Sequence, residues 1–334
     1  MRIDFHEVEQ VLIEKLEKHG CPAEKAKVVG HEMARNSLEG IYTHGINRFA
    51  RLIRNIDEGI VKPEADVRLI SSFNALERYD GCLGLGIINA TFAMNRAMEL
   101  ASRYGVGMVA LRNTNHWLRA ATYGYQACDK GYAAMCFTNT IPNMPTWGAV
   151  DSRIGNNPFM MAFPKEDGHH MILDSAMSQF SYGALELARL EGRLMPIDAG
   201  FDECGNLTKD PDKVIKSQRI LPMGYWKGAA MSFMLDIFAS VLSDGNSVSK
   251  VGTLEGDEHG VSQLFMAIDY KKISLEKEVE DIVEFAISDL KSSKKAEGTK
   301  EIIYTGEKMY EIRDENLKNG IPVDSGVWDT ILSL

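Results

Sequence analysis

No stretch of this chain is apolar for the roughly 18 consecutive residues that a bilayer-crossing helix needs, so no segment is expected to span a membrane. Cysteine is scarce. The five present, Cys21, Cys82, Cys128, Cys136 and Cys204, are odd in number, widely spaced and without a CxxC pair. That argues against a disulfide framework or a structural zinc site, and fits free thiols in a reducing cytoplasm. Basic residues do not run together. There are 37 Lys and Arg against 47 Asp and Glu, for a net charge of −10. Nucleic acid is a poor partner for such a chain, because phosphate recognition needs a concentrated cationic face. A small anionic substrate is still allowed, since one pocket can be locally positive. The opening MRIDFHEVEQ is charged and amphipathic and lacks the apolar core of a secretory signal.

Familiar signatures are missing too. There is no GxxxxGK[ST], and none of the eight histidines shows HExxH spacing, so neither a Walker site nor a hydrolytic zinc site is supported, and no metal is expected. The glycine cluster GCLGLG, with glycines at 81, 84 and 86, is spaced GxxGxG and has no well-placed acid about 20 residues on. These read as turn and packing glycines, not as a Rossmann phosphate loop. Internal repeats and low-complexity stretches are absent.

What is present is 334 residues of ordinary globular composition, 45% hydrophobic and 25% charged, enough for more than one lobe. Asp4 can cap a helix whose apolar face is Phe5, Val8, Leu12 and Leu16, stopped by Gly20. A second helix starts at Pro22 and a third runs from Phe49 to near Gly59. From Asp66 the texture changes. VRLI, ALERYD, VGMVALRN, YAAMCFTNT, NPFMMAFP, HHMILDSA and VSQLFMAIDY read as strands. Helices are expected after GCLGLG to Gly105, over 118–130, 181–191, 225–243 and 275–292. MPIDAGFDECGNLTKDP is expected to be a long surface loop, and such loops can serve as active-site flaps. The alternation predicts an α/β fold with some parallel pairing. Residues 1–70 form a helical unit expected to pack with a helical tail over 295–334. Residues 71–294 form the α/β region.

Two histidines stand in polar loops between regular elements. His44, in IYTHGINRF, has Thr43, Asn47 and Arg48 beside it. His116, in RNTNHWLR, lies where a strand should end and a helix begin, which is where α/β proteins place ligand-binding groups. Imidazole suits proton transfer near neutrality, and Arg48 can grip a carboxylate in a bidentate fork. Equally, His44 can cap a turn while Arg48 pairs with a surface acid. His6, His19, His31, His169 and His170 read as surface residues. MILDSAMS clusters Asp174, Ser175 and Ser178 at a strand end, to hold a ribose or phosphate or simply to cap a helix. Trp226 and Lys227 begin a helix, to stack on a flat ring and hold a phosphate, or as an amphipathic face with one lysine.

Taken in order, YTHGINRF, ALRNTNHW, RIGNNP, MPIDAGFDECGNLTKDP and RILPMGYWKG resemble the malate/L-lactate dehydrogenase-like oxidoreductases, a family without a Rossmann fold, and the resemblance extends to the closing GVWDTILSL. It implies a cytoplasmic homodimer whose nicotinamide-binding lobe is a mixed β-sheet. It implies NADH-dependent reduction of 2,3-diketo-L-gulonate to 3-dehydro-L-gulonate, with NADPH also possible. The same scaffold serves malate, L-lactate, ureidoglycolate and cyclic imino acids, and a non-catalytic binding protein on the fold is the more distant alternative. The family's proton-donating histidine matches His44, while His116 matches a position proposed as a base in some members, so two candidates remain. Arg48 would hold the substrate carboxylate and Asp198 is the candidate acid orienting the ring. The family's cofactor segments match His170, Met171, Ile172, Leu173, Asp174, Ser175 and Ala176, then Trp226 and Lys227, then Gly306, Glu307 and Lys308.

Overall fold

The computed structural model describes residues 1–274 and 276–334. After the short strand β1 (Arg2–Ile3), Asp4 accepts the His6 amide at 2.8 Å and starts helix α1 (Phe5–Lys18), whose Val8, Leu12 and Leu16 are buried. Gly20, at φ +83°, turns the chain into α2 (Ala23–Leu38). Two 3-10 turns, Tyr42–His44 and Ile46–Arg48, then lead into α3 (Phe49–Asp57).

The α/β region runs β2 (Arg68–Phe73), β3 (Leu76–Asp80), α4 (Gly86–Tyr104), β4 (Val106–Thr114), α5 (Ala121–Cys128), β5 (Ala133–Thr138), β6 (Met144–Pro145), β7 (Ser152–Ile154), β8 (Phe159–Phe163), β9 (Met171–Ser175) and α6 (Tyr182–Leu190). It continues through β10 (Gly200–Phe201), β11 (Leu207–Thr208), α7 (Pro211–Ser217), α8 (Trp226–Ser243), α9 (Val248–Val251), β12 (Val261–Ile268) and α10 (Glu276–Lys291). The chain closes with α11 (Glu307–Asn319), β13 (Ile321–Pro322) and α12 (Ser325–Ser333).

The main sheet has the order β2-β3-β4-β12-β5-β8-β9. Only β3 and β4 pair in parallel; every other neighbouring pair in it is antiparallel. It is therefore a mixed sheet and not a doubly wound parallel one. β12 lies at its centre with Val261 through Phe265 buried, as a strand covered on both faces must be. One apolar cluster joins α4 and α5 to the sheet through Met94, Trp117, Tyr123 and Phe265. A second, with Leu185, Val214, Leu235 and Leu264, joins α6, α7 and α8 to it. A third gathers α1, α2 and α3 with Leu85, Ile87 and Leu118, and with Ile321, Trp328 and Ile331 from the C-terminal end. β1 pairs with β13, Ile3 opposite Ile321, so the two chain ends share one small sheet.

Three expectations need adjustment. The stretch read as a plain surface loop carries the β10–β11 hairpin and buries Met195, Ala199 and Phe201, because its apolar residues find the cluster under α6 and α7. The helix expected over 118–130 starts only at Ala121, since Leu118 sits at φ +66°. The late helix is described from Glu276 to Lys291; residue 275 lies outside the described residues. No described helix is long and apolar enough to cross a membrane.

Candidate active site

His44 is presented by a turn pressed against the end of α2. Asn36 donates its side-chain N–H to the His44 carbonyl at 2.9 Å, and Ser37 Oγ accepts the Ile46 amide at 3.0 Å. A Cβ on Gly45 would run into Ser37 Oγ, which is why glycine follows the histidine. The imidazole faces that of His116: the ring centroids are 5.7 Å apart and the planes 16° apart.

The His116 loop is held equally closely. The Leu118 amide donates to His116 Nδ1 at 3.0 Å, so Nδ1 is the acceptor nitrogen and the neutral ring carries its proton on Nε2. Asn115 donates to the carbonyls of Leu83 and Gly84 at 2.7 and 2.9 Å. A Cβ on Gly86 would collide with the carbonyls of Asn115 and His116. The glycines of GCLGLG are packing glycines, as expected: Gly86 packs against this loop, Gly81 against Asn89 and Thr114, and Gly84 against Ala65, Gly81 and Asn89.

Low-polarity walls and cationic neighbours set the charge state. Burial, with Arg48 and Arg119 adding to it, pushes His44 down to about 3. Burial, then Arg48 and His44, hold His116 well below the usual histidine range. Arg48 is lowered to about 10, first by burial and then by Arg51. Its guanidinium makes no ion pair or hydrogen bond among the described residues. Arg51 is engaged instead, gripping both oxygens of Asp257, to which Asn55 also donates at 3.0 Å.

The three segments matched to cofactor binding converge on β9, the edge strand. The Ile172 amide donates to the Thr305 carbonyl at 3.2 Å and Thr305 Oγ1 donates to the Ile172 carbonyl at 2.8 Å. Gly306, at φ +93°, lies so close that a Cβ would stand 3.1 Å from the Ile172 nitrogen. Past the other end of β9, the Met223 amide donates to the Met177 carbonyl at 2.8 Å and brings up Trp226 and Lys227. Within β9, Ile172 is buried and Leu173 exposed. Asp174 Oδ2 accepts the Ala121 amide at 2.8 Å, which ties the strand to the helix that follows the His116 loop. Helices α8 and α11 begin without a side-chain cap, and an exposed lysine, Lys227 or Lys308, is the second residue of each.

Some placements differ from expectation. His170, read as a surface residue from its polar turn, is buried at 4% exposure: Nδ1 accepts the Lys165 amide at 3.0 Å and Nε2 lies 3.0 Å from Asp129, because the β8–β9 turn folds over the end of α5. Asp198 lies in the segment before β10 and makes no hydrogen bond to either candidate histidine, so it takes no part in the mechanism we propose. Three residues were not singled out in the sequence. Arg119 pairs with the buried Glu39, touches Met309 and bears on His44; Asp257 and Glu258 face the arginines of α3. Among the described residues no group of three or more His, Cys, Asp or Glu could hold a metal ion.

Residues 3–332 match the family model for malate/L-lactate dehydrogenase. The chain is 42% identical to the 2,3-diketo-L-gulonate reductases of Citrobacter koseri and of Klebsiella pneumoniae, covering 100% of this chain and 100% of each relative. Among solved structures it is similar to sulfolactate dehydrogenase from Methanocaldococcus jannaschii, with a TM-score of 0.91 and 28% identity over 99% of this chain and 95% of that one. Malate dehydrogenase from Pyrococcus horikoshii gives a TM-score of 0.89 and 28% identity over 98% of this chain and 93% of that one. A stacked histidine pair, one from a turn beside α2 and one from the loop that follows a strand of a mixed, non-Rossmann sheet, is thus accompanied by full-length likeness to named reductases and dehydrogenases, and the chain belongs to the malate/L-lactate dehydrogenase family of oxidoreductases.

Proposed function

We propose that this enzyme reduces 2,3-diketo-L-gulonate to 3-dehydro-L-gulonate, with NADH as the electron source and His44 as the proton donor. The observation that carries the reading is the unpaired Arg48 guanidinium beside the stacked His44 and His116 rings. The full-length likeness to reductases of that name supports the substrate.

The residues at β9 fit a dinucleotide. Two helix starts without a side-chain cap lie near the two ends of the strand, each with a lysine in its first turn, and the positive ends of their dipoles favour an anionic ligand. The exposed Trp226 indole offers a face for a flat ring. The reduced nicotinamide, when bound, supplies a hydride to the carbonyl carbon next to the substrate carboxylate.

Arg48 grips that carboxylate in a fork and fixes which carbonyl is presented. As the carboxylate docks, it offsets the Arg48 charge that helps hold His44 low, and the ring gains affinity for a proton. His44 then gives that proton to the carbonyl oxygen as negative charge develops there, so oxygen becomes hydroxyl and the ring is left neutral. His116, with its Nδ1 committed to Leu118, offers Nε2–H as a hydrogen-bond donor and does not serve as the base.

In this reading residues 1–70 with 295–334 are the helical unit that carries His44, and 71–294 supply the cofactor and substrate surfaces. The protein works as a homodimer. The apolar row Met231, Phe233, Met234, Phe238 and Val241 on α8, each more than 40% exposed, supports a face covered by a second copy. Sedimentation should give twice the chain mass, reduced to the monomer by Phe238→Glu. Five unpaired thiols support a cytoplasmic setting. Loss of reduced-nicotinamide absorbance with diketogulonate, run beside pyruvate and oxaloacetate, tests the activity: turnover of another acid alone would reassign the substrate.

A further inference from the structure

The proposed reaction uses Arg48 and leaves a second polar group near it unassigned. Glu258 follows Asp257, and Asp257 is clamped. Arg51 binds both of its oxygens, Asn55 donates to Oδ2 at 3.0 Å, and Oδ1 accepts the Glu258 amide at 2.8 Å. Arg51 lies about one helical turn beyond Arg48, so the clamp ties the Glu258 backbone to the helix that Arg48 opens. From the other side, Glu258 Oε2 accepts the Ile141 amide at 3.0 Å. Two segments remote in sequence therefore fix the carboxylate in place, while Oε1 has no partner among the described residues.

Arg48 lies near enough for each charge to act on the other, yet the two do not close into an ion pair. Burial raises the Glu258 carboxyl while Arg48 and Arg51 draw it down. An open guanidinium and a half-satisfied carboxyl are complementary to a ligand that has a carboxylate at one end and a hydroxyl further along its chain.

We propose that Glu258 determines specificity: with a substrate carboxylate on Arg48, Glu258 Oε1 accepts a hydrogen bond from a substrate hydroxyl, and so favours hydroxylated 2-oxo acids over plain ones. This rests on the 2-oxo acid reduction proposed above. The selectivity has a simple cause. A plain 2-oxo acid strips water from Oε1 and returns no donor, and a site built to bind a hydroxyl discriminates strongly against the analogue lacking one.

The test compares wild type, Glu258→Gln and Glu258→Ala. It uses kcat/KM for 2,3-diketo-L-gulonate, and pyruvate as substrate or competitive inhibitor. Glu258→Ala is expected to lose roughly 10- to 100-fold with diketogulonate, as for removal of a hydrogen bond to a charged group, while pyruvate holds level or improves, since no Oε1 is left to be stripped of water. Glu258→Gln keeps an acceptor and should retain most of the preference; if the alanine variant fails to fold, a folded glutamine variant that loses the preference would overturn the role. For Glu258→Ala, equal losses with both acids, or no loss with either, would overturn the specificity role and leave the reduction standing. A wild-type enzyme that reduces neither acid would overturn the reduction itself and this inference with it.

Discussion

The imidazoles of His44 and His116 lie nearly parallel, 5.7 Å between centroids, and the Leu118 amide points into Nδ1 of the second ring. Two imidazoliums so close would repel, and an amide donor at Nδ1 holds His116 in its neutral form. The arrangement leaves one ring free to gain and lose a proton, and in the proposed mechanism that ring is His44. Replacing His44 with Gln is therefore expected to lower kcat by roughly 10²–10⁴ while NADH still binds, measured by quenching of protein fluorescence. Near-normal turnover would remove His44 from the chemistry.

Arg48 is expected to act on binding. Arg48→Ala should raise KM for diketogulonate at least tenfold, and Arg48→Lys should recover part of it, because an ammonium keeps the charge but loses the bidentate fork. An unchanged KM in steady-state assays would make Arg48 structural.

The lowered histidines give stability a pH dependence of definite sign. In the unfolded chain His44 titrates near 6.5, and in the fold near about 3. Between those values the unfolded chain binds a proton that the fold refuses, so this contribution is complete above about 6.5 and is lost progressively as pH falls towards about 3. His116 adds in the same direction. Denaturant melts across that range should be less pH-dependent for His44→Gln than for wild type; identical slopes would contradict the assignment.

Gly86→Ala tests the support behind the site. Its Cβ would meet the backbone oxygens of Asn115 and His116, and neither can move without shifting the His116 loop. A loss of about 1–3 kcal/mol in unfolding free energy and a fall in kcat are expected together. A stable, fully active variant would show that the loop tolerates displacement.

The parts of the site that were legible in the sequence are those carried by local pattern. His44 and Arg48 are near neighbours, and His116 stands where a strand gives way to a helix, so residue type and position marked them as candidates, while their roles came only with the family resemblance. The element pattern also forecast β12 and the helices around it. Residues that act through distant partners were not legible. Arg119 meets Glu39 across 80 positions, and Arg51 meets Asp257 across 206; nothing in either stretch announces the other. His170 misled for the related reason that a polar turn looks exposed until the end of α5 folds beneath it. The β10–β11 hairpin hid among turn residues because two-residue strands leave no alternation to read.

The most direct measurement of the central claim mixes purified protein, NADH and fresh 2,3-diketo-L-gulonate and follows the nicotinamide absorbance, with wild type and His44→Gln side by side. The account expects rapid oxidation by wild type, a product reduced at the carbonyl beside the carboxylate, and a roughly 10²–10⁴-fold slower variant. No oxidation by wild type, or equal rates for the two proteins, would contradict it.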